Sequence, residues 1–437
     1  MGKLLSGGLI LRSLAENAND KKRFPEFLHN AFEIGGDWQE TNFTAWINDL
    51  LNTHPSMKLE HIWCVVDPAA KGKIVSGLFL IPQLWRYEDV QIPVGRPEIV
   101  GTLAAYRRRG LVRELFTILH QYSQAQGHLI QAITGIPFFY RQFGYTFAVD
   151  LGGRGQIPFT AIPKLGKDET PKYHVRPAES SDIPTLITLD ASESRHALLT
   201  TIRDKTLWDY ELNGRHPKSF WYSETYMIID TDGQSVGYVT LNDNDYPDNI
   251  IGLNRWVIGE NANHLQTFED TLRAIRDIAK EKNDNNFAFY VNDNMHPALV
   301  KIMHRNFGMA TQDRMYAWYL RVADHVAFIQ WIAPVLERRL VHSAAHQYSG
   351  KLRVNFYQHD DLLITFEQGK ITDVCLTSEK GRPHLNFPFD TWLNVVFGAN
   401  SESELHKILP DTLSTAEASV LVDILFPKKK SSLFPVS

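Results

Sequence analysis

The sequence has very little cysteine. Cys64 and Cys375 are the two cysteines among 437 residues, and each lies in an apolar, strand-like run. Two thiols this far apart do not form the disulfide framework that holds a small secreted domain together. The scarcity therefore predicts a protein of a reducing compartment, and we expect it in the cytoplasm.

Long hydrophobic runs are also missing. No segment approaches the roughly 20 apolar residues with which a helix crosses a bilayer. The apolar start of the chain, residues 4–11, is short and contains Gly7 and Gly8. Arg12 and Glu16 follow it where a signal peptide would have a small-residue cleavage site, so we interpret this start as a first strand.

The chain has no excess of positive charge. Its 50 acidic residues outnumber its 45 lysines and arginines, which gives a formal net charge of −5. Charge therefore provides no reason to expect nucleic acid or an anionic membrane surface as a partner.

Several catalytic and binding motifs are absent from the sequence. It contains no Gly-x-Ser-x-Gly nucleophile elbow and no Walker phosphate loop. His342 and His346 are one helical turn apart, but the glutamate of the zinc-peptidase motif is missing and no third ligand is evident. A solvated helix face explains this pair better, and we expect no metal ion.

The length and composition describe a globular protein of more than one domain. A chain of 437 residues with 43% hydrophobic and 22% charged residues is too long for one ordinary core. We expect an α+β (mixed α/β) fold with domains at 1–150, 151–324 and 325–437.

Each predicted domain has its own pattern. Strand-like and helix-like segments alternate in the first, where the spacing of apolar residues and Gly127 predict a helix over 111–126. The segment 151–174 reads as a linker or a strand edge. The middle domain repeats the order of the first, which suggests an internal duplication. Alternation at period two over 352–374 predicts an antiparallel sheet in the last domain.

A basic, glycine-containing turn between a strand and this helix is the most informative segment. Free amides at a helix N-terminus and nearby guanidinium groups bind anions such as a diphosphate, and Gly110 lets the backbone approach closely. A solvated basic helix start is the alternative. The candidate residues for binding a ligand that contains a diphosphate are Val100, Gly101, Thr102, Arg107, Arg108, Arg109, Gly110, Leu111, Val112 and Arg113.

This segment resembles the pyrophosphate loop of the GNAT acetyltransferases. Arg107, Gly110 and Val112 occupy the positions of its pattern, although Val112 is larger than the usual small residue. The triple arginine resembles more closely the Eis-type (enhanced intracellular survival) subgroup. That resemblance implies an active GNAT domain, a second GNAT-like domain without a coenzyme loop, and a sterol-carrier-protein-like domain.

A second motif follows at 138–145, where an aromatic cluster would by itself be packing core. It resembles the GNAT segment in which a tyrosine faces the sulfur of coenzyme A, and this implies Tyr140 as the general acid. The coenzyme-binding assignment also includes Gly135 and Ile136. A phenol is protonated at neutral pH, so it can donate a proton to the departing thiolate.

The amine that attacks the thioester must lose a proton to a base. In the Eis subgroup the terminal carboxylate is the expected base, which implies Ser437 here. This tail lacks the aromatic and acidic ending of the subgroup, so it either docks through Leu433, Phe434 and Val436 or frays. Glu33 is a further carboxylate that could attract a cationic acceptor, and an exposed glutamate at the end of a helix is the alternative.

The sequence thus predicts an acetyl-CoA-dependent N-acetyltransferase without a metal. Its acceptor would be a primary amine on a small molecule or a lysine, and the subgroup suggests a homo-oligomer such as a hexamer. The rival hypotheses are a non-catalytic acyl-CoA or lipid-binding protein that uses the C-terminal domain, and an acyl-CoA sensor without turnover.

Overall fold

The computed structural model of the protein describes residues 2–37, 39–193, 195–244, 249–292, 294–309, 316–379 and 381–434, with backbone alone at 316 and 317. Among the helices of these ranges, none combines the length and apolar character needed to span a membrane.

The first part of the chain alternates strands with helices. Its strands are β1 (Lys3–Leu4), β2 (Ile10–Ser13), β3 (Ile62–Asp67), β4 (Lys73–Tyr87), β5 (Val90–Thr102), β6 (Ile130–Thr134) and β7 (Thr146–Gly152). Its helices are α1 (Ala18–Ala31), α2 (Asn42–Asn52) and α3 (Leu111–Ala125). The predicted helix over 111–126 is confirmed, and β4 and β5 are longer than their apolar cores suggested.

The middle part has the same kind of alternation. Its strands are β8 (Arg154–Pro158), β9 (Tyr173–Pro177), β10 (Leu199–Thr201), β11 (Glu224–Asp230), β12 (Ser235–Asn242), β13 (Ile250–Ile258), β14 (Ala288–Asn292) and β15 (Tyr316–Val322). Its helices are α4 (Ile183–Glu193), α5 (Lys205–Asp209), α6 (His264–Lys282) and α7 (Pro297–Phe307).

The last part begins with a helix and continues into a third sheet. Its helices are α8 (His325–Val341), α9 (Trp392–Val396), α10 (Glu402–Ile408) and α11 (Ala416–Leu425). Its strands are β16 (Gly350–Asn355), β17 (Asp361–Glu367), β18 (Lys370–Thr377), β19 (Leu385–Asn386) and β20 (Leu413–Ser414). Strands β16, β17 and β18 pair antiparallel, as the alternation predicted.

Two sheets have related topologies. The first runs β1-β2-β3-β4-β5-β6-β15-β7 with β10 added to β4, and the second runs β8-β14-β13-β12-β11-β9. In each, a run of antiparallel strands ends in one parallel pair, β5 with β6 and β13 with β14. This shared order supports the internal duplication that the sequence suggested.

The two sheets exchange strands. Strand β8 follows β7 directly along the chain but pairs with β14 of the second sheet, whereas β15 returns from the middle part and lies between β6 and β7. The sequence placed residues 316–322 in the domain 151–324, and the pairing corrects this, because these residues belong to the first sheet. The segment 151–174, read as a linker or strand edge, contains a strand of the second sheet.

The helix α3 covers the sheet beside the basic turn. Leu111, Leu115, Phe116 and Leu119 recur at helical spacing, and all are buried against the same hydrophobic cluster as Leu80 of β4. Burial of such an apolar stripe, more than helix propensity, fixes a helix of this length in place. The packing therefore sets where the N-terminus of α3 lies relative to β5.

Candidate active site

Strands β5 and β6 form a wedge-shaped opening. They pair in parallel at two positions, Val94 with Ile130 and Gly95 with Gln131, although β5 continues to Thr102 and β6 to Thr134. Beyond these pairs the two strands diverge. Parallel neighbours that separate present unpaired backbone edges to each other, and an extended ligand can hydrogen-bond to such an edge.

A bulge in β5 lies at this wedge. Phe79 pairs with Glu98 and Gly77 with Gly101, so Ile99 and Val100 together oppose one residue of β4. Ile99 has a φ of 49° although it is a buried, β-branched residue, which is a costly conformation. Such bulges re-aim backbone groups away from the neighbouring strand. The predicted coenzyme residues Val100, Gly101 and Thr102 thus occupy the bulge and the end of the strand.

The basic turn leads from β5 into the N-terminus of α3. Gly110 is the N-cap residue, with a φ of 76°, and no atom lies within 4 Å of the position a Cβ would take. Arg108 is also left-handed, with a φ of 64°. An open backbone before a helix of 15 residues is the geometry that suits a phosphate group.

The arginines of the turn differ in their contacts. Arg107 Nη2 donates to Glu33 Oε1 at 3.1 Å, so Glu33 holds an arginine here and is already paired. Arg109 lies over the ring of Tyr106 at 4.7 Å, and Tyr106 in turn donates to Asp67 Oδ2 at 2.7 Å. These contacts restrain the turn while leaving its cationic groups at the surface.

Arg113 connects the first turn of α3 to the second motif. Its Nη2 donates to Gln142 Oε1 at 3.1 Å, and its guanidinium lies 5.6 Å from the ring centre of Phe143. Leu111 is buried beneath the turn, and Val112 is half-buried. The two motifs that the sequence singled out are therefore neighbours in space.

Tyr140 lies on a short 3-10 helix, Phe139–Phe143, and is buried to 7% exposure. Its ring contacts those of Phe116, Tyr145 and Tyr319, with centroids 5.7 to 6.3 Å apart. Gly135 makes room for this ring, since a Cβ there would lie 2.0 Å from Tyr140 Cε2. Ile136, which follows, is 62% exposed. Gly135 thus has a packing reason for being glycine.

Sequence reasoning missed Glu98 and Arg96. Both project from β5 just before the bulge, and Arg96 donates to the Glu98 carboxylate. The Arg96 side chain is fully buried and that of Glu98 is 12% exposed. Burial raises the pKa of Glu98, against the opposing charge of Arg96. The sequence feature that could have identified this pair is the occurrence of two charged residues, at positions i and i+2, in an otherwise apolar strand.

A cavity of about 240 Å³ lies on the other edge of β4. Residues lining it include His54, Gln83, Leu84, Thr201 and Ile202. Burial, with the charges of Arg215 and Arg96, lowers the pKa of His54 to about 3. His54 is thus an uncharged lining residue of this cavity at neutral pH.

The C-terminal tail docks beside this cavity. Ser432 pairs in parallel with Thr200 of β10, and the Leu198 N–H donates to the Lys430 carbonyl at 2.7 Å. Arg255 Nη1 donates to Ser432 Oγ at 2.9 Å, and Leu433 is buried. The tail is therefore held through Phe434 and does not fray there. Ser437 and Val436 lie outside the described residues, so the role of Ser437 stays a prediction.

The matching loop of the second sheet is different. Residues 259–263 connect β13 to α6 and contain Glu260 but no lysine or arginine. Elsewhere in the described ranges, no group of three histidine, cysteine or acidic side chains is arranged to hold a metal ion.

A family model described as the acetyltransferase (GNAT) domain matches residues 18–148. The match includes the wedge, the basic turn and Tyr140. No curated protein matches the chain significantly in sequence.

Solved structures are similar over nearly the whole chain. A GCN5-related N-acetyltransferase from Anabaena variabilis ATCC 29413 has a TM-score of 0.67 and 14% identity, covering 97% of this chain and 99% of its own. A conserved protein of unknown function from Enterococcus faecalis V583, described as a probable N-acyltransferase, has a TM-score of 0.67 and 14% identity, covering 98% and 99%. Eis1 from Mycobacterium abscessus has a TM-score of 0.61 and 14% identity, covering 98% and 99%. At this identity the likeness establishes the fold.

Proposed function

We propose that this chain, an N-acetyltransferase by its match over residues 18–148, transfers the acetyl group of acetyl-CoA directly to a primary amine in a ternary complex. The observation that supports this best is the wedge between β5 and β6, which lies between the basic turn before α3 and the buried Tyr140. The acceptor would be a small molecule or a lysine side chain.

The basic turn would hold the diphosphate of the coenzyme. Gly110 leaves the backbone open, and the first backbone amides of α3 lie at the positive end of the helix dipole. Arg108 and Arg109 are exposed beside them and add positive charge. The bulged edge of β5, from Val100 to Thr102, would bind the pantetheine arm and polarise the thioester carbonyl.

Two groups would move protons. The amine nitrogen bonds to the carbonyl carbon, and the carbon–sulfur bond breaks as the thiolate leaves. Tyr140 would donate its hydroxyl proton to this thiolate. Glu98 would accept the proton that the amine loses, because its carboxylate projects from β5 beside the bulge and is partly exposed. Ser437 is the second candidate for this base.

Thermal unfolding with and without acetyl-CoA tests the binding site. Acetyl-CoA should raise the Tm of the wild type, and the double variant Arg108→Ala, Gly110→Ala should abolish this shift. A wild type whose Tm does not respond at millimolar acetyl-CoA would exclude the acetyltransferase proposal and leave the rival of a lipid-binding protein.

Thiol release with a panel of amines tests turnover. Tyr140→Phe should lower kcat at least tenfold while the Tm shift with acetyl-CoA remains, since only the proton donor is lost. Coenzyme binding without thiol release for any amine would favour the rival of an acyl-CoA sensor.

Two further variants distinguish the candidate bases. Glu98→Gln should lower kcat on the order of 10²-fold, in the range expected for loss of a general base. Removal of residues 435–437 should leave kcat nearly unchanged if Glu98 is the base. The opposite pattern, an active Glu98→Gln variant and an inactive shortened chain, would assign the role to Ser437.

A further inference from the structure

A fully buried guanidinium lies beside the wedge. The Arg96 side chain has 0% exposure, and one of its nitrogens, Nη2, donates to the Glu98 carboxylate. Its Nε and Nη1 atoms have no hydrogen-bond partner among the described residues. A buried charge with so few polar partners depends heavily on the contacts that it does make.

The second contact of this guanidinium is an indole ring. Trp318 lies 5.1 Å from the Arg96 guanidinium, measured to the ring centre, and is 1% exposed. Stacking of arginine on tryptophan is worth more once both groups are desolvated. Trp318 belongs to β15, the strand that returns to the first sheet from the middle part of the chain. It also packs edge-to-face on Trp85 of β4, at 5.6 Å between centroids.

Glu98 has a further restraint from its own strand. Its Oε1 accepts the N–H of Ile99, the left-handed residue of the bulge, at 3.2 Å. The carboxylate is thus fixed at one oxygen by the bulge and at the other by Arg96. The position of the carboxylate follows from these two contacts and, through Arg96, from Trp318.

We infer that Arg96 and Trp318 are positioning residues, which together hold the Glu98 carboxylate at the bulge of β5 as an ionised proton acceptor. This inference rests on the proposed function for the identity of the reaction, but the arrangement of the three side chains does not. Through Trp318, strand β15 would contribute to catalysis as well as to the first sheet.

Among the described residues, few other charged groups face the cluster of Arg96, Glu98 and Trp318. His54, from the turn after α2, senses the charge of Arg96, but burial keeps its pKa near 3 and it stays neutral. Arg215, from the loop after α5, is the second cation that His54 senses. Arg96 is the charged group that opposes the effect of burial on Glu98. Loss of Arg96 should therefore raise the pKa of Glu98 further.

The experiment measures the pH dependence of kcat/KM and the ionisation of Glu98 in the full-length chain. The variants are Arg96→Gln, Trp318→Leu and Trp318→Phe, and the matched control is Trp256→Phe, a buried tryptophan stacked on Phe268 in the second sheet. The pH profile is measured with two amine acceptors of different pKa. The limb of the profile that stays at the same pH with both acceptors reports a group of the enzyme.

We expect the acidic limb of Arg96→Gln to move at least one unit toward higher pH, which lowers kcat/KM about tenfold at pH values below both limbs. Trp318→Leu should move it in the same direction by a smaller amount. Trp318→Phe retains an aromatic face and should restore most of the wild-type position. Trp256→Phe should not move the limb, even if it lowers the Tm.

Carbon-13 NMR of labelled glutamate, with Glu98→Gln as the assignment variant, gives the pKa of Glu98 without turnover. A Glu98 pKa that is the same in the wild type, Arg96→Gln and Trp318→Leu would overturn the inference. If the wild type consumes no amine, the proposed function fails, and this titration still decides whether Arg96 and Trp318 control the carboxylate.

Discussion

Gly110 and Gly127 stand at the two ends of α3 with the same backbone conformation. Each has a φ of 76°, and neither has an atom within 4 Å of the position of an added Cβ. Alanine at either position should cost about 1 kcal/mol of stability, because the left-handed conformation is strained for any L side chain. The two glycines differ only in that Gly110 adjoins the proposed diphosphate site.

Gly110→Ala should therefore weaken coenzyme A binding at least tenfold, whereas Gly127→Ala should leave the Kd within twofold of the wild type. Isothermal titration with coenzyme A measures both, and urea unfolding confirms that the two variants lose similar stability. Equal Kd values for the two variants would contradict the placement of the diphosphate.

Gly135 provides a test of the position of Tyr140. A methyl group there would overlap the ring of Tyr140 and displace a buried side chain. Gly135→Ala should lower kcat at least tenfold, as measured by thiol release with saturating acetyl-CoA. Gly166→Ala is the control, because Gly166 is exposed and a Cβ there would meet only the side chain of Glu169, far from Tyr140 in the sequence. A fully active Gly135→Ala variant would show that Tyr140 need not hold its observed place.

The residues of the site could be predicted only where they form a motif. Arg108 and Gly110 were proposed because a strand, a glycine turn and a helix occur together in sequence, and Tyr140 because the aromatic motif at 138–145 follows them. Glu98 and Arg96 were not found, since a pair of charges in a strand does not show whether solvent or a buried ion pair surrounds it. That distinction depends on Trp318, which is distant along the chain.

At the scale of elements, local patterns predicted α3 and the antiparallel strands of the last part to within a few residues. The same patterns could not predict the exchange of β8 and β15. Strand pairing is settled by which edge is free and which face needs covering, and both depend on the assembled sheet. Strand β15 fits between β6 and β7 because Trp318 and Leu320 complete the core cluster there.

The exchange predicts that β15 supports the first sheet. Leu320, fully buried in β15, replaced by aspartate should destabilise the protein by about 3–5 kcal/mol, because an unpaired charge would be buried. The same variant should also lose the Tm shift with acetyl-CoA. Leu376→Asp in β18 is the control, since that leucine is 50% exposed. Urea unfolding checks the stability of both variants.

Retention of acetyl-CoA binding by Leu320→Asp, together with wild-type stability, would show that the first sheet does not need β15. Ala132 of β6, which pairs with Leu320, is also fully buried. An aspartate at 320 therefore has no access to solvent on that side.

At the scale of the whole molecule, several buried and half-buried histidines couple stability to pH. Burial is the main cause that lowers their pKa values, to about 3 for His54 and His120 and to about 4 for His128, His264 and His325. The unfolded chain binds these protons more tightly than the folded protein does. Stability should therefore be complete above pH 6.5 and fall as the pH decreases toward 4.

His325 provides a test, because it is 7% exposed and its ring contacts Phe356 and Phe389. His325→Phe should reduce the loss of stability between pH 6 and pH 4.5 by about 1 kcal/mol per pH unit, because the pKa of His325 in the folded protein is about 4. His342→Phe, at an exposed position after α8, is the control. Urea unfolding at several pH values measures the slope, and an unchanged slope for His325→Phe would contradict the assignment.

The path of the chain through the first two sheets also bears on biosynthesis. A ribosome that has made everything up to β7 has not yet supplied β15, so β6 and β7 must wait for their central neighbour. At about 5–20 residues per second, this interval lasts on the order of ten to thirty seconds. During translation the nascent first sheet thus exposes two open strand edges, and we expect it to need chaperones until residue 322 has been translated.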